Sequence, residues 1–163
     1  PAIRLHLIGE GVEREQLRAL VKSEGAEDIV RIFPPVPRDE MDRIFDAADI
    51  LALHLNNDPL YDITIPSKTQ HYLACGKPVV AGISGDTAGI LRDSQAALIS
   101  APEDVETMAA SMVRIALMTP GERAKMGRRG ASYYGQHFAF DQAIDKTLDI
   151  IEQATDRHNG NRR

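Results

Sequence analysis

Residues 50–82 read ILALHLNNDPLYDITIPSKTQHYLACGKPVVAG, and their pattern indicates one class of fold. The two apolar runs Ile50–Leu55 and Pro78–Gly82 have the length of strands. Between them, Pro66 opens a short amphipathic segment that Gly76 ends. A strand, a helix and a second strand in this order predict a βαβ unit.

The same alternation runs from the amino end to about Ser100. Three further apolar runs are predicted to be strands: Ile3–Ile8, Ile29–Phe33 and Ala96–Ile99. Asp39 is expected to cap the helix that follows the second of these runs. Because the runs are continuously apolar, both faces of the sheet should be covered. We therefore predict an α/β fold with a doubly wound, Rossmann-like parallel sheet.

Beyond Pro102 the pattern becomes wholly helical. An apolar stripe from Val105 to Ala116 predicts one helix, and two more helices are expected after it. We expect residues 1–155 to form one domain and the polar residues 156–163 to form a disordered tail. The sequence opens on an apolar strand without a methionine, so we expect it to be a fragment of a longer protein.

The composition narrows the possible functions. The chain has 163 residues, with 19 Lys and Arg against 24 Asp and Glu, and a net charge of −5. This acidic balance argues against the broad basic face that duplex DNA requires. No apolar run approaches the roughly 20 residues of a membrane helix. A single cysteine, Cys75, and no recognisable leader indicate the reducing cytoplasm.

Ligands of an open parallel sheet bind at the loops that leave the carboxyl ends of the strands. Here these loops begin at Gly9, Pro34, Asn56, Gly82 and Ser100. The first resembles a dinucleotide fingerprint, but an arginine stands at the third glycine position, which disfavours an NAD or FAD site. Its glycines either form a simple tight turn or approach a ligand. The chain has no cluster with metal-ligand spacing, so no metal is expected.

The segment from Ile63 to Gly85 contains no Asp or Glu, although the average density of the chain would give about three. Burial explains part of this, but not the presence of Lys68 in the first turn of a helix, where the dipole disfavours a cation. Lys68 and Ser67 form a candidate phosphate cradle, and a solvated surface lysine is the alternative. The loop at Gly85 could bring backbone amides to a ligand, or be a simple turn with Asp86 as helix cap.

Four cations, Arg123, Lys125, Arg128 and Arg129, lie close together among the predicted carboxyl-terminal helices. Such a cluster is first interpreted as a solvated face. A docking surface for an anionic membrane or for another domain is the alternative.

Four segments of the chain, in this order, resemble the carboxyl-terminal domain of the group 1 glycosyltransferases. Those are retaining, nucleotide-sugar-dependent enzymes of the two-domain GT-B architecture. The third segment is the most specific, and it is especially similar to the branch found in bacterial lipopolysaccharide and capsule pathways. The segments are LHLIGEGVEREQL (5–17), PRDEMDRIFDAADILAL (37–53), IPSKTQHYLACGKPVVAG (65–82) and MGRRGASYYGQHFAFDQA (126–143).

The resemblance implies that this domain binds a UDP- or GDP-linked sugar donor without a metal or other cofactor. It implies that Lys68 is catalytic, stabilising the leaving diphosphate electrostatically. It also implies a set of donor-binding residues, which are Gly9 and Gly11 beside the cleft, Pro35 and Val36 at the base, Ser67 and Lys68 at the diphosphate, and Gly85, Asp86 and Thr87 on the far side.

The chain departs from the family at the ribose. The family usually has two glutamates eight positions apart, and Ile63 and His71 stand at the corresponding positions. His71 could exchange one hydrogen bond with the ribose. The phosphate-clamping arginine and lysine and the acceptor-binding domain would lie upstream of Pro1, so the isolated chain is expected to be inactive.

The function that the resemblance implies is transfer of a sugar to a polysaccharide or lipid-linked acceptor in lipopolysaccharide or capsule biosynthesis. The alternatives are a non-catalytic nucleotide-binding domain of the same fold and a nucleotide-sugar epimerase. The complete protein is expected in the cytoplasm, in peripheral contact with the inner face of the membrane.

Overall fold

The computed structural model describes residues 3–160, where five strands alternate with helices. All five predicted strands are confirmed, with ends within two residues of those expected. The strands are β1 (Leu5–Ile8), β2 (Val30–Phe33), β3 (Leu51–His54), β4 (Val79–Gly82) and β5 (Ala97–Ser100). The helices are α1 (Arg14–Ser23), α2 (Arg38–Ala47), α3 (Pro59–Asp62), α4 (Ser67–Ala74), α5 (Gly85–Asp93), α6 (Val105–Leu117), α7 (Pro120–His137) and α8 (Phe140–Gly160).

The chain divides into two compact units, one ending at Ala48 and the other beginning at Asp49. In the first unit β1 pairs in parallel with β2, with Leu5 opposite Val30. In the second unit β3, β4 and β5 form a parallel sheet in that order, with β4 in the centre. The α/β class with parallel strands and carboxyl-terminal helices is therefore confirmed. The single domain over 1–155 stays a prediction.

The core of the second unit is built around β4. Its residues Val79, Val80 and Ala81 are at most 1% exposed, so this strand is covered on both faces as predicted. β3 instead alternates, since Leu51 and Leu53 are buried while its other two residues are exposed. The reason is that β3 lies at one edge of this sheet, whereas α6 packs mainly on β4 and β5.

The close packing of α7 holds α4 in place. A Cβ atom at Gly127 would overlap the carbonyl oxygen of Gly76, and one at Gly130 would lie 2.9 Å from the Cβ of Ala96. Gly76 ends α4 with a φ of +63°, which favours glycine. Backbone therefore meets backbone at the end of α4, and any larger residue at Gly127 would separate the two helices.

Three local expectations were wrong. α2 begins directly after the extended Pro37, so Asp39 lies in the first turn, where the helix dipole favours its carboxylate, and not at the cap. Ser84, not Asp86, is the N-cap residue of α5, because the chain is still extended at Ser84 and α5 begins at the next residue. The loop predicted to begin at Asn56 and to extend to Asp62 instead contains a short helix, α3, over residues 59–62, because the Asp58 carboxylate accepts a hydrogen bond from the Leu60 N–H at 2.8 Å.

The carboxyl end of the chain is helical further than expected. α8 continues to Gly160, where a disordered tail was predicted from residue 156. Its repeating apolar positions let the backbone continue as a helix through the polar residues that follow. The last three residues of the predicted tail, 161–163, lie outside the described residues. Within residues 3–160, no helix combines the length and apolar character needed to cross a membrane.

Candidate functional site

Two loops of the first unit lie at the carboxyl ends of its parallel strands. Gly9 follows β1 with a φ of +143°, and its N–H donates to the carbonyl of Phe33 at 3.3 Å. A Cβ atom at Gly9 or Gly11 would meet no atom within 4 Å, so the backbone is open there. Pro35 and Val36 follow β2 after one intervening residue, Pro34; Pro35 is exposed and Val36 is half-buried. Parallel pairing puts these loops at the same edge of the sheet, as predicted.

Arg14, at the third glycine position of the fingerprint, begins α1. Its Nη1 forms an ion pair with the Glu10 carboxylate at 2.7 Å, across the turn that holds Gly11. Its Nε is buried and has no hydrogen-bond partner among the described residues. Arg14 therefore stabilises the turn through its ion pair with Glu10. A glycine at position 14 would have no side chain to form this ion pair.

The amino end of α4 carries the central predicted pair. α4 begins at Ser67 after Pro66, so Ser67 and Lys68 occupy its first two positions, and this placement is confirmed. Both side chains are exposed, and no acidic residue lies in the first turn. Among the described residues, Lys68 has no hydrogen-bond or ion-pair partner. Its binding role stays a prediction.

The next residues of α4 turn toward the core. Thr69 is fully buried, and its hydroxyl has no partner among the described residues. His71 is exposed and lies one turn after Lys68 on the same side of the helix. Burial, and then the neighbouring Cys75 thiol, raise the pKa of the Tyr72 phenol, which therefore stays neutral near pH 7. Sequence reasoning missed Thr69, because nothing in its spacing distinguishes it from an ordinary helix residue.

The amino end of α5 contacts residues 62–64 of the chain. Gly85 has a φ of +63°, and a Cβ atom there would overlap the backbone of Asp62. Thr87 is fully buried and its hydroxyl donates to the carbonyl of Thr64 at 3.0 Å, whereas Asp86 is exposed. Gly85 is therefore required by a close approach of two chain segments, and a ligand-binding role for these three residues stays a prediction.

Asp62 is a residue that sequence reasoning missed. Its Oδ1 accepts a hydrogen bond from the Ser84 hydroxyl at 2.6 Å. It stands directly before the acid-free segment that begins at Ile63, so the fold brings a carboxylate next to a segment that lacks one. Its position immediately before the start of the acid-free segment was the available signal.

A cleft of about 550 Å³ lies beside α5, at the carboxyl ends of β4 and β5. Ser84, Gly85, Arg92 and Ser100 are among its lining residues. Of the predicted donor-binding residues, only Gly85 lines it. In the part of the chain that the structure describes, no group of three or more His, Cys, Asp or Glu side chains could hold a metal ion.

The predicted residues thus form two groups, each at the carboxyl edge of its own parallel sheet. The first unit holds the glycine turn and the Pro35–Val36 loop. The second unit holds Ser67, Lys68 and His71 on α4 and the residues from Gly85 on α5. Both groups lie where ligands of parallel α/β sheets bind.

Comparisons with known proteins point in one direction. The family model described as "Glycosyl transferases group 1" matches residues 1–117. The D-inositol 3-phosphate glycosyltransferase of Salinispora tropica is 30% identical over 151 residues, which are 92% of this chain and 30% of that protein. The chain therefore spans about a third of the length of such relatives.

Solved structures share the fold at low sequence identity. The sucrose-phosphate synthase of Thermosynechococcus elongatus matches with a TM-score of 0.77 at 20% identity, over 94% of this chain and 39% of that one. Anabaena HepE in complex with UDP-glucose matches with 0.72 at 19%, over 91% and 41%. WaaG, a glycosyltransferase involved in lipopolysaccharide biosynthesis, matches with 0.68 at 20%, over 91% and 38%.

Proposed function

The chain belongs to the group 1 glycosyltransferases, and from that premise we propose that it binds the nucleotide-sugar donor of a retaining transferase. In the proposed reaction the sugar passes from a UDP- or GDP-linked donor to a polysaccharide or lipid-linked acceptor. The Rossmann-like fold of parallel strands and helices is the one that GT-B glycosyltransferases share.

One observation carries this proposal, and it is the position of Lys68. An exposed ammonium group in the first turn of α4, without an acidic partner among the described residues, opposes the helix dipole. A diphosphate would satisfy the cation and the unpaired N–H groups of that turn together. Ser67 adds a hydroxyl at the same place.

Lys68 would act on the transition state rather than on a proton. As the glycosidic bond breaks, negative charge grows on the departing diphosphate, and a fixed cation stabilises it more than it stabilises the intact donor. The acceptor hydroxyl would attack from the face that the diphosphate leaves and would give its proton to the departing diphosphate, so the anomeric configuration would be retained. This mechanism needs no metal and no carboxylate nucleophile.

The acceptor site would belong to another part of the protein. Because this chain spans about a third of the curated relatives it matches, we propose that an acceptor-binding domain completes the enzyme and that the chain alone does not turn over. A role in lipopolysaccharide or capsule synthesis is supported by the sequence resemblance and by the likeness to WaaG. The D-inositol 3-phosphate relatives make a phosphorylated polyol the competing acceptor.

Nucleotide titration tests the donor site directly. We expect UDP or GDP to shift the amide NMR signals of the loops at Gly9, Val36, Lys68 and Gly85. Lys68→Ala should weaken UDP binding about tenfold in this chain and lower the transfer rate of the complete protein about a hundredfold. Lys22→Ala, at an exposed lysine of α1, is the matched control. Shifts confined to other regions would refute the proposal.

A second candidate function is a non-catalytic nucleotide-binding domain, which the histidine at position 71 favours. If the complete protein binds nucleotide but transfers sugar to no acceptor, this candidate replaces the first. Incubation with donor alone separates both from an epimerase, because only an epimerase converts the sugar without an acceptor.

Peripheral membrane contact is proposed for the exposed face of α7. Lys125, Arg128 and Arg129 are exposed and have no partner among the described residues. Arg123 does not belong to this face, because it is mostly buried and donates to the Met118 carbonyl at 2.6 Å, closing the end of α6. Replacing the three exposed cations by alanine should abolish salt-sensitive sedimentation with anionic vesicles, and unchanged sedimentation would exclude this face.

A further inference from the structure

The segment between β3 and α4, residues 55–66, is called the loop below; it contains α3 and contacts the amino end of α5. From this connection we propose that Asp62 is a positioning residue for the site that receives the donor diphosphate. The inference rests on the proposed function, because it assigns a role within that same site.

Three contacts fasten the loop to α5. The Ser84 hydroxyl donates to the Asp62 carboxylate at 2.6 Å, and the Asp62 backbone lies against Gly85 where no side chain would fit. The buried Thr87 hydroxyl donates to the carbonyl of Thr64 at 3.0 Å. Side chain and backbone of the loop thus both dock on the first turn of α5.

The same loop also reaches the segment after β5. The N–H of Asn57 donates to the Glu103 carboxylate at 3.2 Å, and Glu103 itself has a φ of +63°, which is uncommon for a residue with a side chain. The loops that follow β3, β4 and β5 are therefore linked to one another at the carboxyl edge of this sheet.

The position of Asp62 along the chain makes the connection relevant to Lys68. Only residues 63–66 separate Asp62 from the first residue of α4. Holding Asp62 and Thr64 against α5 therefore holds the entry to α4, and with it the direction in which Lys68 leaves the helix. A displacement of about 1 Å at a site that acts by orientation can cost about a hundredfold in rate.

The Asp62–Ser84 bond suits this role better than a role in stability. It lies at the surface, where a hydrogen bond contributes little to the free energy of unfolding. The amino end of α5 favours a carboxylate, which keeps Asp62 docked there. An asparagine could still accept the bond through its oxygen, so the role depends on the acceptor atom and not on proton transfer.

Binding of UDP and of uridine to this chain, followed by NMR, tests the inference, with GDP and guanosine in parallel. We expect Asp62→Ala and Ser84→Ala each to weaken UDP binding about tenfold while changing uridine binding less than about twofold. The double variant should be no worse than either single one, because both remove the same bond. Asp62→Asn should stay within about threefold of the unchanged chain. Asp93→Ala, which removes an exposed carboxylate from the far end of α5, is the matched control.

Each other outcome has a definite meaning. If the unchanged chain binds neither UDP nor GDP, the proposed function fails and the inference fails with it. If it binds UDP but both alanine variants bind equally well, only the inference is overturned. An Asp62→Asn variant as weak as Asp62→Ala, with Ser84→Ala unaffected, would show that Asp62 touches the ligand itself. If Asp62→Ala does not fold, which circular dichroism reports, Ser84→Ala carries the test.

Discussion

Gly85, Gly127 and Thr69 each occupy a position that only their neighbours explain. A side chain at Gly85 would overlap the backbone of Asp62, and a side chain at Gly127 would overlap the carbonyl oxygen of Gly76. Thr69 places a hydroxyl in the core without a hydrogen-bond partner among the described residues. The two glycines are therefore required by close packing. The buried hydroxyl of Thr69 lowers the free energy of unfolding.

Replacing Thr69 by valine should stabilise the chain. The change removes a buried hydroxyl that has lost its hydration, and the shape of the side chain is kept, so the free energy of unfolding should rise by about 1 kcal/mol. Urea denaturation of the two proteins measures the difference. A loss of stability instead would show that the hydroxyl has a bonding partner in solution.

Replacing Gly127 by alanine should destabilise the chain by about 2–3 kcal/mol, because the new methyl group forces α7 away from the end of α4. Gly135→Ala is the control in the same helix, where a Cβ would meet nothing within 4 Å and alanine should stabilise by roughly 0.5–1 kcal/mol. Equal effects of the two substitutions would contradict the packing described for α7.

Helix α7 shows how one element is secured at its amino end. The Thr119 hydroxyl accepts from the Glu122 N–H at 3.2 Å, while the Glu122 carboxylate accepts from the Thr119 N–H at 2.7 Å. These reciprocal bonds form a capping box at the start of a helix that opens with a proline. Asp104 caps α6 through the Thr107 N–H at 3.0 Å.

These caps predict a pH dependence of stability. Hydrogen bonds from the Thr119 backbone, and then from its side chain, lower the pKa of Glu122, and Thr107 lowers the pKa of Asp104 in the same way. Both carboxyl groups have a lower pKa in the folded chain than in the unfolded chain. Their contribution to the free energy of unfolding is therefore fully present at a pH above the unfolded-state pKa. It is lost as the pH falls through the folded-state pKa. Thermal unfolding of Glu122→Gln should therefore depend less on pH between about 5 and 3 than unfolding of the unchanged chain. If the melting temperatures of the two proteins changed equally with pH, the capping box would be contradicted.

The complete chain has an uneven distribution of charge. Its net charge is −5, yet α7 holds four of the 19 Lys and Arg and one of the 24 Asp and Glu. The candidate anion site lies on a different helix, at the amino end of α4, and Lys68 is the lysine that it contains.

Binding of UDP should raise the free energy of unfolding of the whole chain. At a UDP concentration about 100 times its dissociation constant, the free energy of unfolding should increase by about 2.7 kcal/mol. Uridine at the same concentration should raise the melting temperature less, because it lacks the diphosphate that Lys68 would bind. Equal increases would place the binding energy in the nucleoside alone.

The positions of the strands, the class of fold and the start of α4 at Ser67 could all be predicted from the residues. These features depend on apolar periodicity and on prolines and glycines at helix ends, which act over a few neighbouring positions. The placement of Lys68 in a first turn followed from the same local rules. Its chemical role still awaits the nucleotide titration.

The covering of α5 by Asp62, the burial of Thr69 and the packing of Gly127 on Gly76 could be found only in the folded chain. The Asp62–Ser84 bond joins residues 22 positions apart, and its existence depends on how two loops leave neighbouring parallel strands. Local patterns carry no information about such distances, because they are set by the register of the sheet and by the close packing of the helices on it.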